Sequence, residues 1–313
     1  MMISYLALAV APAYMAAAAF FPALNLNSWK RRGVLVLLCL LILLSPLLLP
    51  VEQSLLRFVA SMTAVTLLFK LYDLHLGARK GFCPSLRSFF VFLPNYFALV
   101  HRKLDGEPRP SHGENIRRLS QALPRLVLGM TVFTAMFYVD WQPFPFLIEH
   151  IAKVVTYFLM LFPAADVIVS LWRLMGGVTL NYMDNPLVAP TPAEFWRRYN
   201  RPAGQFYYEN VFKQFGGLRA PVRATVLIFV ISALIHEYLF GIAVGRFQGY
   251  QLMFFFLQGV GVVATFSLRP KRLLPLWTAA TLAFNLLTAV FFFASLNGLV
   301  AFYSRPLPAW LAW

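Results

Sequence analysis

Residues 224–244 read ATVLIFVISALIHEYLFGIAV. The run is apolar over a bilayer's thickness, yet it carries an adjacent histidine and glutamate, His236 and Glu237. Ionisable groups are costly in hydrocarbon, so such a pair marks a functional-site hypothesis. The surrounding composition agrees with a membrane setting. The chain has 313 residues, is 60% hydrophobic and is only 12% charged, where soluble domains average about 25% charged. Its repeated apolar runs reach the roughly 18 residues of a transmembrane helix, and they are continuous rather than alternating with period two. These features give an all-α, polytopic integral membrane protein and exclude a transmembrane barrel.

Working outward, eight spans are expected: Ile3–Leu24, Val34–Leu49, Leu55–Leu74, Leu126–Val139, Phe146–Trp172, Ala224–Val244, Tyr250–Leu268 and Leu274–Phe302. The first lacks a basic start and a small-residue cleavage site, so it reads as a span and not a cleaved signal. Phe89–Val100 is apolar but short, which suits a re-entrant or interfacial segment. Arg102–Arg118 reads as a polar loop punctuated by Asp105-Gly106, Pro108 and Pro110. We expect one membrane-embedded domain over residues 1–313, with its chemistry in 185–260.

The net charge of +15 would suggest nucleic acid in a soluble protein. Here the basic residues lie between spans, where topology and anionic headgroups account for them, and no nucleic-acid partner is expected. With Lys30–Arg32 in the cytoplasm, every basic residue except Arg57, Lys153, Arg246 and Arg305 falls on the cytoplasmic side or at a cytoplasmic span end. Both termini then face outward and the segment around Asn200 is cytoplasmic. Two cysteines, Cys39 and Cys83, are too few for a disulfide framework, and no HExxH or paired-cysteine spacing offers a metal site.

Upstream of the His-Glu pair lies TPAEFWRRYNRPAGQFYYENVFKQFGG, from Thr191 to Gly217. Thr191, Pro192 and Glu194 form a helix-start signature with a capping box. Phe195, Trp196 and Tyr199 accompany Arg197 and Arg198, and Pro202 predicts a helix break just after Asn200. A second amphipathic helix should end at Gly216-Gly217. Two short helices rich in Trp, Tyr and Arg suit the membrane interface, and a simple interfacial anchor would look the same.

At the helical rise, His236 stands about 18 Å from the cytoplasmic end of its span. Gln258 enters the next span from the opposite side and reaches nearly the same depth. Ser232, one turn before His236, could accept its hydrogen bond. The structural alternatives are a satisfied buried histidine and an interhelical glutamine bond. Asp166, Lys153 and His150, all on the fifth span, read as structural groups paired with one another or with a neighbour. Lys70, Asp73 and His75 read as span-end groups that snorkel to headgroups.

An imidazole with a reference pKa of about 6.5 is a suitable general base near neutral pH. It could deprotonate an alcohol entering from the lipid. Carboxamides such as Asn200 and Gln258 could orient an acceptor or stabilise an oxyanion. No nucleophile elbow stands nearby, so direct transfer without a covalent intermediate is the simpler chemistry. The cytoplasmic cations Arg197, Arg198, Arg201 and Lys213 would suit an anionic, phosphate-bearing donor.

FWRRYN followed by SALIHEYLFG resembles the membrane-bound O-acyltransferase family, and within it the sterol and diacylglycerol acyltransferases and plant-type wax synthases. The resemblance covers about Asn185 to Gln258. It implies that His236 is the catalytic histidine, that Asn200 is the first-motif asparagine, and that Gln258 lies near the transfer site. It also implies acyl-CoA as co-substrate, with no permanently bound cofactor, and a hydroxyl acceptor. On this reading Glu237, Ser232, Trp196, Arg197, Arg198 and Tyr199 would line the substrate site. Tyr199 departs from the usual tryptophan. Asn200 departs from the polysaccharide-acetylating branch, where histidine is typical. Two other readings stay open: a cell-envelope glycan O-acetyltransferase, and a proton-coupled transporter relaying through His236 and Asp166.

Overall fold

Long apolar runs bounded by Pro, Gly, Asn and Ser dictate helices, and the computed structural model, which describes residues 2–107 and 109–312, is all-helical with no strand among those residues. In chain order the helices are α1 (Met2–Ala18), α2 (Ser28–Leu44), α3 (Ser54–Ala78), α4 (Leu86–Phe92), α5 (His112–Ala135), α6 (Phe146–Leu174), α7 (Pro192–Arg198), α8 (Arg201–Tyr207), α9 (Pro221–Val244), α10 (Tyr250–Thr265) and α11 (Leu274–Asn297). Among the described residues, six stretches are long and apolar enough to cross a membrane: Tyr5–Asn25, Ser28–Leu48, Ser54–Ala78, Phe146–Leu174, Pro221–Val244 and Leu274–Asn297.

The two remaining expected spans differ for physical reasons. Leu126–Val139 is only the apolar half of α5, which begins at His112 under a complete capping box between Ser111 and Glu114. The expected loop is therefore helical from His112 onward; Pro108 lies outside the described residues. The run beginning at Tyr250 forms 16 helical residues, about 24 Å at the helical rise, short of a hydrocarbon core of about 30 Å. The run 89–100 does not form a through-helix. The seven-residue α4 ends at Phe92 and gives way to a turn at Leu93-Pro94.

The chain folds as two compact units, each assembled from two stretches. The first comprises Met1–Gly106 and Gln205–Leu252, the second Glu107–Gly204 and Met253–Trp313. In the first unit, α3 is the central helix and packs on α1, α2 and α9. Ala64, Leu67, Leu71 and Leu74 of α3 share a core with Ala13, Ala17, Leu35, Ile42, Phe89 and Phe92. Irregular backbone survives inside a membrane only where its carbonyls find partners. Lys70 supplies them: its buried ammonium donates to the carbonyls of Phe92 (2.5 Å), Asn95 (2.7 Å) and Ala98 (2.9 Å).

That contact corrects the expectation of snorkelling, because Lys70, Asp73 and His75 are all buried. Asp73 accepts from the His101 amide at 2.7 Å, from Arg102 at 2.7 Å and from the Asn210 carboxamide at 3.0 Å. His75 Nδ1 accepts from Arg31 at 3.3 Å. A group near a helix end snorkels only if its neighbours leave it a path, and here the segment from Phe92 to Arg102 covers it.

In the second unit, α5 and α6 form the main antiparallel pair. Gly129 makes their approach possible: a Cβ there would stand 2.5 Å from the Leu159 carbonyl oxygen. On α6, His150 bonds Tyr303 at 2.7 Å and the Leu286 carbonyl at 2.8 Å. Lys153 donates to Glu149 and to the Phe302 carbonyl, each at 2.7 Å. Asp166 faces Arg118 at 3.4 Å. His150, Lys153 and Asp166 thus pair with neighbours rather than with one another. The expected eighth span overshoots for the same reason, since Phe302 and Tyr303 fold back beyond α11 to meet these groups.

Candidate active site

In the first unit, α9 opens with Pro221 at its first turn and carries His236 half-buried in an otherwise apolar helix. His236 Nδ1 lies 2.8 Å from the backbone carbonyl oxygen of Ser232. A carbonyl only accepts, so Nδ1 bears the proton and the ring's lone pair is on Nε2. The expected partner residue is right, but the accepting atom is the main-chain oxygen and not the hydroxyl. The Ser232 side chain is instead hydrogen-bonded with Tyr207, whose phenol burial pushes up to about 12 against that bond. No spacing rule in the sequence pointed to Tyr207.

Glu237 faces a different way. Its Oε1 accepts the amides of Gln248 (2.6 Å) and Gly249 (2.7 Å), and Oε2 that of Gln251 (3.2 Å). The turn between α9 and α10 uses left-handed glycines at 245 and 249, and the carboxylate gathers the amides this tight turn leaves over. Negative charge at the first turn of α10 also suits the helix dipole. Glu237 therefore holds the turn immediately after the histidine helix.

A further polar cluster in this unit surrounds a π-helical turn at Tyr208–Phe212. The turn aims the fully buried Asn210 inward, where it accepts from Arg102 at 2.5 Å and donates to Asp73. π-turns occur disproportionately at functional sites. Lys213 is held on Glu209 at 2.7 Å.

In the second unit, the Thr191 hydroxyl caps α7 by accepting the Glu194 amide at 3.2 Å, with Pro192 at the first helical position. The expected capping box forms only in this half. The Glu194 carboxylate takes Arg197 at 2.5 Å and Arg198 at 2.8 Å. Burial alone would raise this carboxyl, but the two guanidiniums overcome it and hold it below its ordinary value. The break falls at Tyr199-Asn200, a residue ahead of the expected place: Tyr199 is extended, Asn200 is left-handed with φ 44°, and Arg201, before Pro202, already opens α8. Asparagine tolerates this region better than most residues. Its Oδ1 lies 3.4 Å from the Ala203 amide, at the start of α8.

The aromatic residues of α7 pack inward. Phe195 stacks on Tyr199 with ring centres 5.5 Å apart, and Trp196 meets Phe254 and Phe255. Burial, with Tyr157 and Tyr182 nearby, drives the Tyr199 phenol well above its ordinary value. Gln258, 1% exposed, accepts from the Trp196 indole at 2.8 Å and donates to the Thr288 hydroxyl at 2.7 Å. Its carboxamide thus ties α7, α10 and α11 together. A glutamine at mid-helix among aromatics is the sequence trace of this tie, but its partners could not be read from spacing.

Comparison with known proteins bears on the same segment. The model of the family described as MBOAT, membrane-bound O-acyltransferase family, matches residues 122–297, more than half of the chain. That range includes both Thr191–Asn200 and His236. No curated protein matches the chain.

Proposed function

We propose, because this chain belongs to the membrane-bound O-acyltransferase family, that it moves an acyl group from acyl-CoA to the hydroxyl of a lipophilic alcohol of the fatty-alcohol, diacylglycerol or sterol type. His236 is the general base. Its Nε2 takes the alcohol proton as the oxygen attacks the thioester carbonyl. The tetrahedral oxyanion then collapses, the carbon–sulfur bond breaks, and the CoA thiolate recovers the proton. The product is an ester and free CoA, with no covalent enzyme intermediate.

The observation that supports this reading best is the 2.8 Å bond from Nδ1 to the Ser232 carbonyl. It commits the ring to the tautomer a general base needs. The half-buried position in an apolar helix suits an acceptor arriving from lipid. Asn200 is proposed on separate grounds as a carboxamide that orients substrate: it is presented at a helix break in the left-handed region, with φ 44°. Gln258 is better cast as a positioning residue for Trp196, since both of its polar atoms are engaged.

The test is incubation of purified protein with labelled acyl-CoA and a panel of fatty alcohols, diacylglycerols, sterols and sugars. Labelled lipid ester is the expected product. Acylated sugar with no lipid ester would replace this reading with glycan acetylation. Substrate flux across vesicles without any covalent product would replace it with transport.

A further inference from the structure

The cations expected to receive a phosphate-bearing donor are already occupied in part: Arg197 and Arg198 share Glu194, and Lys213 sits on Glu209. A different pair in the second unit is arranged otherwise. Arg118 near the start of α5 and Arg173 at the end of α6 lie at the same end of this antiparallel pair. Both donate to one neutral acceptor, the Asn181 carboxamide oxygen, Arg173 at 2.9 Å. Arg173 also holds the Thr179 carbonyl at 2.6 Å. Asp166 faces Arg118 at 3.4 Å and is 40% exposed, while Arg118 is 33% exposed. Arg125 acts electrostatically on Asp166, and Arg201 and Glu107 act on Arg173. Four guanidiniums are therefore opposed by two carboxylates.

Two arginines converging on an uncharged oxygen leave fork-shaped donors with surplus charge, the arrangement that phosphate recognition uses. We propose that Arg118 and Arg173, gathered by Asn181, form a binding site for a phosphate group. Two sources carry that chemistry at a membrane surface: the phosphates of the CoA donor and the headgroup of an anionic phospholipid. The first source rests on the acyl-CoA reading above; the second does not.

The experiment uses the full-length protein and the Asn181→Asp variant. In this variant the new carboxylate occupies both guanidiniums from within, so the fold gains ion pairs while the site loses its surplus charge. Direct binding is measured with adenosine 3′,5′-bisphosphate, the phosphate-bearing end of CoA, in neutral phosphatidylcholine nanodiscs. It is then measured as lipid retention in nanodiscs containing phosphatidylglycerol. The variant should keep its Tm and bind one of these probes at least about tenfold more weakly, the scale of a charge-assisted hydrogen bond. Loss of the nucleotide alone assigns the site to the donor; loss of lipid retention alone assigns it to a headgroup. Arg118→Gln provides a second variant that should fail in the same arm. If neither probe binds the wild type, or both variants bind as the wild type does, the site does not exist. Binding is read without turnover. A protein that binds but makes no ester would sink the acyl-transfer reading and leave this one standing.

Discussion

His236 Nδ1 bonds a main-chain oxygen, and this decides what its neighbours can be asked to do. Ser232→Ala keeps that oxygen, so it should preserve turnover while losing the bond with Tyr207, worth about 1 kcal/mol of stability. Activity falling more than about a hundredfold, with little change in thermal unfolding, would give the hydroxyl a chemical role that this geometry does not. Glu237 should behave in the opposite way. Three amides converge on it, so Glu237→Ala strands buried donors at about 1–3 kcal/mol each. Its Tm should drop sharply, while activity per folded molecule stays within a few-fold of wild type at low temperature. A stable but inactive Glu237→Ala would show that the carboxylate takes part in the reaction. At this scale the sequence was legible for residue type and depth, and blind to partners. It marked His236, Asn200 and Gln258, but nothing in spacing distinguishes the Ser232 carbonyl from its hydroxyl, or a Glu237 that reacts from one that clamps a turn.

Among the elements, those with their own local signals were the most readable. Thr191-Pro192 starts α7 as the sequence implies, and the helix breaks at Tyr199-Asn200, close to the place expected, although Arg201 is helical and not extended. The capping box that starts α5 was equally present as Ser111-His112-Gly113-Glu114, but a polar stretch with prolines masked it. Two predictions belong here. Gly129→Leu should separate α5 from α6, because even a Cβ there would stand 2.5 Å from Leu159 O; overpacking of this kind costs about 1–3 kcal/mol or more, visible as a lower Tm in detergent. Glu194 supplies a pH signature. Its folded carboxyl titrates below its ordinary value of 4.5, so the stabilisation it gives α7 is complete above that ordinary value. It fades as pH falls through the depressed folded value. Glu194→Gln should therefore lower Tm at neutral pH by an amount that shrinks in acid; a difference independent of pH would contradict the ion-pair account.

For the whole molecule, hydropathy was sufficient to give an all-helical membrane protein, since length and apolarity alone define most spans. Two of the expected spans take another form: one apolar run is half of a longer amphipathic helix, α5, and one forms the 16 helical residues of α10. Hydropathy also misjudged Lys70 and Asp73, because composition says nothing about a segment folding back over a span end. The charge pattern further proposes a threading with both termini outward and residues 77–125 in the cytoplasm. Cys83 is exposed, so a membrane-impermeant thiol reagent should label it only after cells are permeabilised; labelling in intact cells would reverse the threading. The role of the His236 imidazole is tested by ester formation in His236→Ala reconstituted in nanodiscs, with folding verified by thermal unfolding. The expected result is a wild-type-like unfolding transition and loss of turnover by at least about a hundredfold, the contribution of a general base. Ester formation at a near-normal rate in that variant would contradict it.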